Sequence, residues 1–359
     1  MFNIVILLCI SFFSFANLSF ASNSSSDSRE VNTQSQSLTG IVNAPSDVAI
    51  NNNSSNLSKK FKIRGSISLG AMYNDNVNNS PTNGIMEVFF QNIKINAKVK
   101  EKKDYASFLF TNTTYQKYIG KNYGFLGSTS LSIQDYFKLD NRDALTFFTR
   151  NGITKYLNKK TLVYIPIVFN ASRIDSTFSS PIFLFGSYGI APSVSYKVGL
   201  FNLSNEVSFM RRKWASDFKG SNYIGRNSDI LSVTPSVSFG YKFFNTNLSY
   251  IFRREVASFA AFSNSINGLS LFSGLSLPKY RSSIFASASY LNQAYDGKDY
   301  LTNKARTDKI LNITSGYSLV LNKVVSLNFN HSFNRTKSSV SNFTYTQNQY
   351  NLGLSLRFS

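Results

Sequence analysis

Phe61-Lys62-Ile63-Arg64-Gly65-Ser66-Ile67-Ser68-Leu69-Gly70-Ala71-Met72-Tyr73 carries an apolar residue or a glycine at every odd position and a polar residue at most even ones. Successive side chains of a strand point to opposite faces, so such a run has one greasy face and one wet face. The rhythm continues to Phe358, cut at short intervals by clusters of Asn, Ser, Gly, Asp or Lys. Many such runs behind a secretion signal predict a closed sheet with lipid outside and water inside. The expected fold is all-β: a transmembrane antiparallel barrel of the outer-membrane kind over 61–359.

Composition narrows the alternatives. Beyond the first residues no segment approaches the roughly 18 uninterrupted apolar residues of a membrane helix, and mean hydropathy is −0.14. A helical membrane protein is excluded; a soluble solenoid or sandwich is not excluded by composition alone. Two features favour the barrel. The 33 Phe and 20 Tyr against a single Trp suit aromatic girdles at two interfaces rather than one compact core. The wet face is mainly Ser, Asn, Thr and Lys, as a water-filled lumen requires.

Lys and Arg number 38 against 18 Asp and Glu, a formal charge of +20. The basic residues lie at strand ends and turns (Lys59-Lys60, Lys159-Lys160, Arg211-Arg212-Lys213). An exported barrel does not meet nucleic acid, so the expected anionic neighbours are outer-membrane lipid and lipopolysaccharide, or solutes in an anion-preferring lumen. Solvated rims are the simplest account of the sign.

Met1–Ala21 is rich in Ile, Leu and Phe and ends Ser19-Phe20-Ala21, with small residues where signal peptidase requires them. It reads as a signal peptide (1–21), although no Lys or Arg precedes Arg29. Cys9, the sole cysteine, falls inside it, so the mature chain has no thiol for disulfide or metal. Residues 22–60, rich in Ser, Asn and Gln and without periodicity, read as a disordered periplasmic segment.

Within the barrel the strongest alternation falls on Ile93–Val99, Thr129–Leu139, Tyr188–Leu200, Leu231–Phe243, Leu269–Leu277, Leu311–Leu321, Val325–Phe333 and Leu352–Phe358. Short connections are expected at Glu101–Lys103, Asn158–Lys160, Phe201-Asn202, Phe244-Asn245, Pro278-Lys279 and Asn322-Lys323. Longer ones are expected near Asn74–Gly84, Ile119–Gly127, Ala215–Asn227, Ala294–Ala305 and Asn334–Ser341. About fifteen runs can be counted, whereas single-chain bacterial barrels have even strand numbers. The irregular stretch Leu126–Phe183 is the expected place of a bulge mistaken for a turn. Chain length then gives about 14 strands, with 16 as the fallback. Pro166, Pro192 and Pro235 fall inside runs, where each removes a ladder hydrogen bond. They mark bulges or strand ends, or else weak pairing that lets the wall deform.

Catalytic chemistry is not legible. His331, the only histidine, shares its face with Val325, Leu327, Phe329 and Phe333, which places it at the lipid interface. A hydrolase would want a serine two residues on, and Phe333 stands there. Asp75, Glu87, Asp135, Asp217 and Glu255 show no paired spacing. Trp214 follows three basic residues at a strand end and suggests an interfacial anchor. The chain reads as a non-enzyme without cofactor or metal.

Two stretches carry more than barrel grammar. Gly70-Ala71-Met72-Tyr73-Asn74-Asp75-Asn76-Val77-Asn78-Asn79-Ser80-Pro81 resembles the opening of the barrel domain of surface lipoprotein assembly modifiers, the Slam family. Tyr73, Asn76, Val77, Asn78 and Pro81 match a Tyr-Asp-Ser-Asn-Val-Asn-x-Ala-Pro pattern; Asn74 replaces the usual Asp, and Ser80 a small Ala. The end is similar to the family's closing hairpin. Arg306-Thr307-Asp308 opens it, Ser341-Asn342 forms a loop, and Leu352–Phe358 is a glycine-containing last strand ending in Phe. Phe358, here penultimate, is the aromatic that the barrel assembly machinery would recognise. The resemblance implies an outer-membrane translocator aiding surface display of a client lipoprotein or secreted binding protein. Full-length members carry periplasmic tetratricopeptide repeats, which this chain lacks. As a motif of its own, Tyr73–Pro81 reads as an ordered turn leaving a strand, with Asn76 or Asn78 the candidates for gating or client contact. A passive, anion-preferring pore and a non-transporting surface barrel or adhesin are the alternatives.

Overall fold

The computed structural model describes residues 61–77, 79, 85–88, 91–94, 102–119, 122–139, 143–175, 181–214, 226–299 and 302–359. The expected signal peptide and the segment 22–60 lie outside the described residues. In chain order the strands are β1 (Lys62–Asn74), β2 (Ile85–Val88), β3 (Gln91–Lys94), β4 (Asp104–Ile119), β5 (Tyr123–Tyr136), β6 (Ala144–Asn158), β7 (Thr161–Asp175), β8 (Pro181–Ile190) and β9 (Ser193–Val198). They continue with β10 (Phe201–Trp214), β11 (Ser228–Tyr241), β12 (Phe244–Ala257), β13 (Asn264–Leu277), β14 (Ser282–Lys298), β15 (Ala305–Val320), β16 (Val325–Ser338) and β17 (Tyr345–Phe358).

These strands form a closed antiparallel barrel of 14 wall strands, as expected from chain length. β8 and β9 count as one wall strand, since both lie between β7 and β10. β2 and β3 pair only with each other, outside the wall. The ring closes where β1 meets β17, from Gly65↔Phe358 to Asn74↔Gln349.

The surplus run of the sequence count is therefore Ile93–Val99. Its described part belongs to the β2–β3 hairpin, within the connection from β1 to β4. Glu101–Lys103 ends that long connection instead of forming a short turn, and the long loop expected at Ile119–Gly127 is the short turn between β4 and β5. Short turns and both ends of the wall lie together, which is the periplasmic side of such a barrel. The stretch Leu126–Phe183 is therefore not the source of the surplus: register shifts occur there between Tyr156 and Asn158 and between Ser172 and Arg173, but they add no turn and leave the strand count unchanged.

The alternation sorts as the opening run predicts. Ile67, Leu69, Leu269, Leu271, Leu352 and Leu354 point outward and are exposed. Aqueous solvent would not tolerate such a belt; a bilayer core does, and this belt makes the molecule an outer-membrane barrel. The inward positions carry hydroxyls and amides that bond across strands: Ser68 to Ser355 at 2.5 Å, Asn328 Nδ2 to Ser355 Oγ at 2.7 Å, and Thr314 with Ser332 at 3.2 Å. Exposed Tyr123, Tyr241 and Tyr280 ring the short-turn end, while Tyr73, Tyr105 and Tyr350 cluster outward near the other.

Candidate functional site

The candidate site is the lumen together with one irregular patch of its wall. Most of the lining is Ser, Thr, Asn and Gln, and one recess of ≈ 340 Å³ shows how aromatic rings interrupt it. Phe108, Phe110 and Phe285 enter that recess beside Met72, Gln134 and Asn328. Phe108 fits because Gly70 and Gly353 lie beneath its ring: a Cβ at Gly353 would approach it to 2.8 Å and one at Gly70 to 2.7 Å. The pattern offers hydrogen bonds and stacking, with charge kept elsewhere.

The wall is irregular around two prolines. β7 pairs with β8 as far as Ile167↔Ile190 and resumes with β9 at Tyr164↔Ser193. Between them Pro166 faces Ala191 and has no N–H to offer its carbonyl, while Pro192, opposite Ile165, turns its backbone to β10, where its carbonyl accepts from the Val207 N–H at 2.9 Å. One bond spans the gap, from Ala191 N–H to the Pro166 carbonyl at 3.1 Å. Pro192 thus sits at a strand end, as one expectation had it, whereas Pro166 and Pro235 lie mid-strand without shifting register. The ladder from β11 to β12 skips Thr234 and Pro235. Next to Pro166, on β6, Gly152 has no room for a side chain, because a Cβ would run into the main chain at Ile165 and Pro166.

An ion pair covers this gap from inside. Arg150 on β6 reaches Glu206 on β10 at 2.6 Å and points the same nitrogen at the Ala191 carbonyl, 3.4 Å away. Its guanidinium lies 5.0 Å from the centre of the Tyr164 ring. A flat sheet would hold strands three spacings apart at about 14 Å; in the closed barrel the inward side chains of β6 and β10 converge, and Arg150 and Glu206 meet across the two wall strands between them.

Near the long-loop end the charges are tightly matched. Glu255 is buried and accepts from Arg212 at 2.7 Å, Ser228 at 2.6 Å and Arg253 at 3.3 Å. Arg306 pairs with Asp308 at 2.7 Å, its guanidinium over the rings of Tyr295 and Phe343. Trp214 faces inward against Phe185, 5.2 Å between ring centres, with Arg226 over it; the expected lipid anchor is instead part of this inner layer. His331 does point outward, stacked on Tyr350 at 4.6 Å. Among the described residues no group of His, Cys, Asp or Glu is placed to hold a metal ion.

The motif residues tie the first strand to the last. Tyr73 joins the outer tyrosine cluster with Tyr105 and Tyr350. Asn76 is fully buried, donates to the Thr346 carbonyl at 2.9 Å, and offers its own carbonyl to Gln347 at 2.9 Å. Val77 packs with Met72, Ala106 and Tyr136. Asp75 accepts from the Asn348 N–H at 2.6 Å and its amide at 2.8 Å. Asn78 and Pro81 lie outside the described residues. Phe358 is on the lipid face, its ring over Gly65. Arg150 and Glu206 were missed by sequence reasoning; charges in mid-strand, on the wet face of otherwise neutral runs, were the available signal.

No family model matches the chain, and no curated protein matches it. Solved outer-membrane proteins are similar in fold. The anion-selective porin from Comamonas acidovorans aligns over 83% of this chain and 99% of its own, at 10% identity and a TM-score of 0.41. OmpT of Vibrio cholerae aligns over 83% and 99% at 7% identity and 0.44. A Pseudomonas aeruginosa FadL homologue aligns over 83% and 90% at 7% identity and 0.46. At these values the likeness concerns strands curled into a barrel and says nothing of task.

Proposed function

We propose that this barrel conducts polypeptide across the outer membrane, in the manner that the resemblance to surface lipoprotein assembly modifiers implies. The observation that supports this reading is the irregular wall at Pro166 and Pro192, covered by the Arg150–Glu206 pair. A rigid sieve gains nothing from missing ladder bonds at mid-wall. A wall that must yield to a passing chain does, and a single lumenal ion pair is a device that holds such a wall shut and releases it. Deleting the gene and labelling surface-exposed proteins tests this: a lipoprotein or secreted binding protein should vanish from the surface. An unchanged surface profile would end the translocator reading.

A second reading, a passive pore, draws support from the mainly hydroxyl and amide lining. Planar bilayers separate the two. A pore gives stable ohmic current with an anion bias, whereas a gated conduit gives little steady current that rises in Glu206→Gln.

A further inference from the structure

We propose that the short-turn mouth of the barrel is a docking ring for an acidic polypeptide segment approaching from the periplasm. The inference starts from where the carboxylates are. Apart from Glu206 and Glu87 of the β2–β3 hairpin, every Asp and Glu among the described residues lies in a long connection or within four residues of the long-loop end of a strand. There cations and anions neutralise one another: Arg212 and Arg253 with Glu255, Arg254 with Asp296, Arg306 with Asp308. The opposite end has no side-chain carboxylate among the described residues. It has instead Lys159, Lys160, Lys242, Lys279, Arg281 and Lys323 at its turns, all exposed. None of them pairs with a carboxylate of a described residue. Like charges crowded on one rim repel one another, an arrangement that stabilises the fold less than a mixed rim would.

Backbone geometry adds an independent observation. Lys242 and Arg281 both sit at φ 48°, in the left-handed region where glycine or asparagine relieves strain. The equivalent turn between β9 and β10 uses Gly199 at φ 58°. Two of the rim turns therefore hold a long cation where the backbone would prefer none.

Two anionic surfaces could meet this rim, the phospholipid leaflet and a polypeptide, and the inner edge decides between them. Lys62, Arg64, Lys197 and Arg357 project to the lumenal side by strand parity. Arg357 stands opposite Ser66, with Arg64 two residues further along β1. Head groups surround the barrel from outside and do not reach this inner edge. The outward cations are a separate set: Lys117 and Lys155 serve the leaflet, the latter 5.2 Å from the Tyr123 ring. The lumenal cations are spread over β1, β9 and β17, so no small anion touches them all. An extended acidic chain does, with steering from the whole rim. This inference goes beyond the conduit reading and does not depend on it, since a pore with a periplasmic partner would use the same ring.

The test uses the full-length barrel in nanodiscs of zwitterionic lipid and a fluorescent Glu-rich peptide, followed by anisotropy at low and physiological salt. The unmodified barrel should bind saturably and lose affinity as salt rises. The combined variant Lys62→Gln, Arg64→Gln, Lys197→Gln, Arg357→Gln should bind at least about tenfold more weakly, while Lys117→Gln with Lys155→Gln should bind as the parent does. Heat-modifiable mobility confirms folding; should the fourfold variant not fold, Lys62→Gln with Arg357→Gln reads the same contrast. Absence of peptide binding by the parent, equal loss in both variants, or equal binding of a Lys-rich peptide would each overturn the proposal. So would a ring that serves lipid: no peptide binding, with association to phosphatidylglycerol vesicles weakened by the lumenal variant. Peptide binding by a barrel whose deletion leaves the surface profile unchanged would remove the conduit reading and leave the ring standing.

Discussion

Glu255 shows what a single buried charge does in this molecule. Two guanidinium groups and a hydroxyl converge on it, and it is 5% exposed. Replacing it with glutamine keeps the shape and removes the carboxylate charge that the two buried guanidinium groups share, a defect that costs about 3 kcal/mol in comparable buried pairs. We expect Glu255→Gln to lower the urea midpoint in detergent, read from the fluorescence of Trp214, which packs in the same inner layer. A rise in stability would show that the cations find other partners. The sequence showed the carboxylate and the basic triplet beside Trp214, but not that the strands bring them together. Alternation assigns a residue to a face; it does not say which face-mates from other strands it meets. For the same reason Arg150 and Glu206 escaped notice, being separated by two wall strands. Arg306 and Asp308 were easier, since an i, i+2 pair on one strand necessarily shares a face.

At the scale of elements, the strand split into β8 and β9 and its neighbours β6 and β7 carry the irregularity. Gly152→Val would force a side chain against the main chain of β7. Overpacking of that kind costs about 1–3 kcal/mol, and the variant should lose heat-modifiable mobility at a lower temperature than the parent. Pro192→Ala restores a donor to the ladder. If the wall must yield, this variant folds normally yet displays less client at the cell surface, by quantitative surface labelling. The turns provide an opposite case. Lys242→Gly and Arg281→Gly each relieve a left-handed backbone and should gain about 1 kcal/mol, measured by denaturant midpoint. Most strands were legible because one face is fat and the other water. Ile93–Val99 misled for an equally physical reason: its described residues, Ile93 and Lys94, end a hairpin strand that pairs only with β2, and periodicity cannot tell which sheet a strand joins. The turn between β4 and β5 was misjudged because Gly124 and Gly127, residues that read as loop, lie inside β5.

For the whole molecule the decisive property is the outward belt. Leu271→Arg, at the middle of β13, should destabilise the inserted barrel by about 2–4 kcal/mol. Ser289→Lys, facing the lumen from β14, should change stability little. Equal effects on folding yield in lipid vesicles would contradict the assignment of faces.

The contacts of Asp75 with Asn348 and of Asn76 with Thr346 and Gln347 bear on the calibre of the tube. Sliding β17 by two residues along β1 would keep every leucine in lipid and every serine in water, so hydrophobicity is blind to that error. It would nevertheless alter the stagger of the closed sheet, and with it strand tilt and bore. Side chains that recognise one partner and no other are what can refuse such a slip, at the loop end through Asp75 and at the turn end through Phe358 seated on Gly65. A handful of polar atoms at the joint thereby acts as the gauge that sets how wide a cargo the cylinder admits.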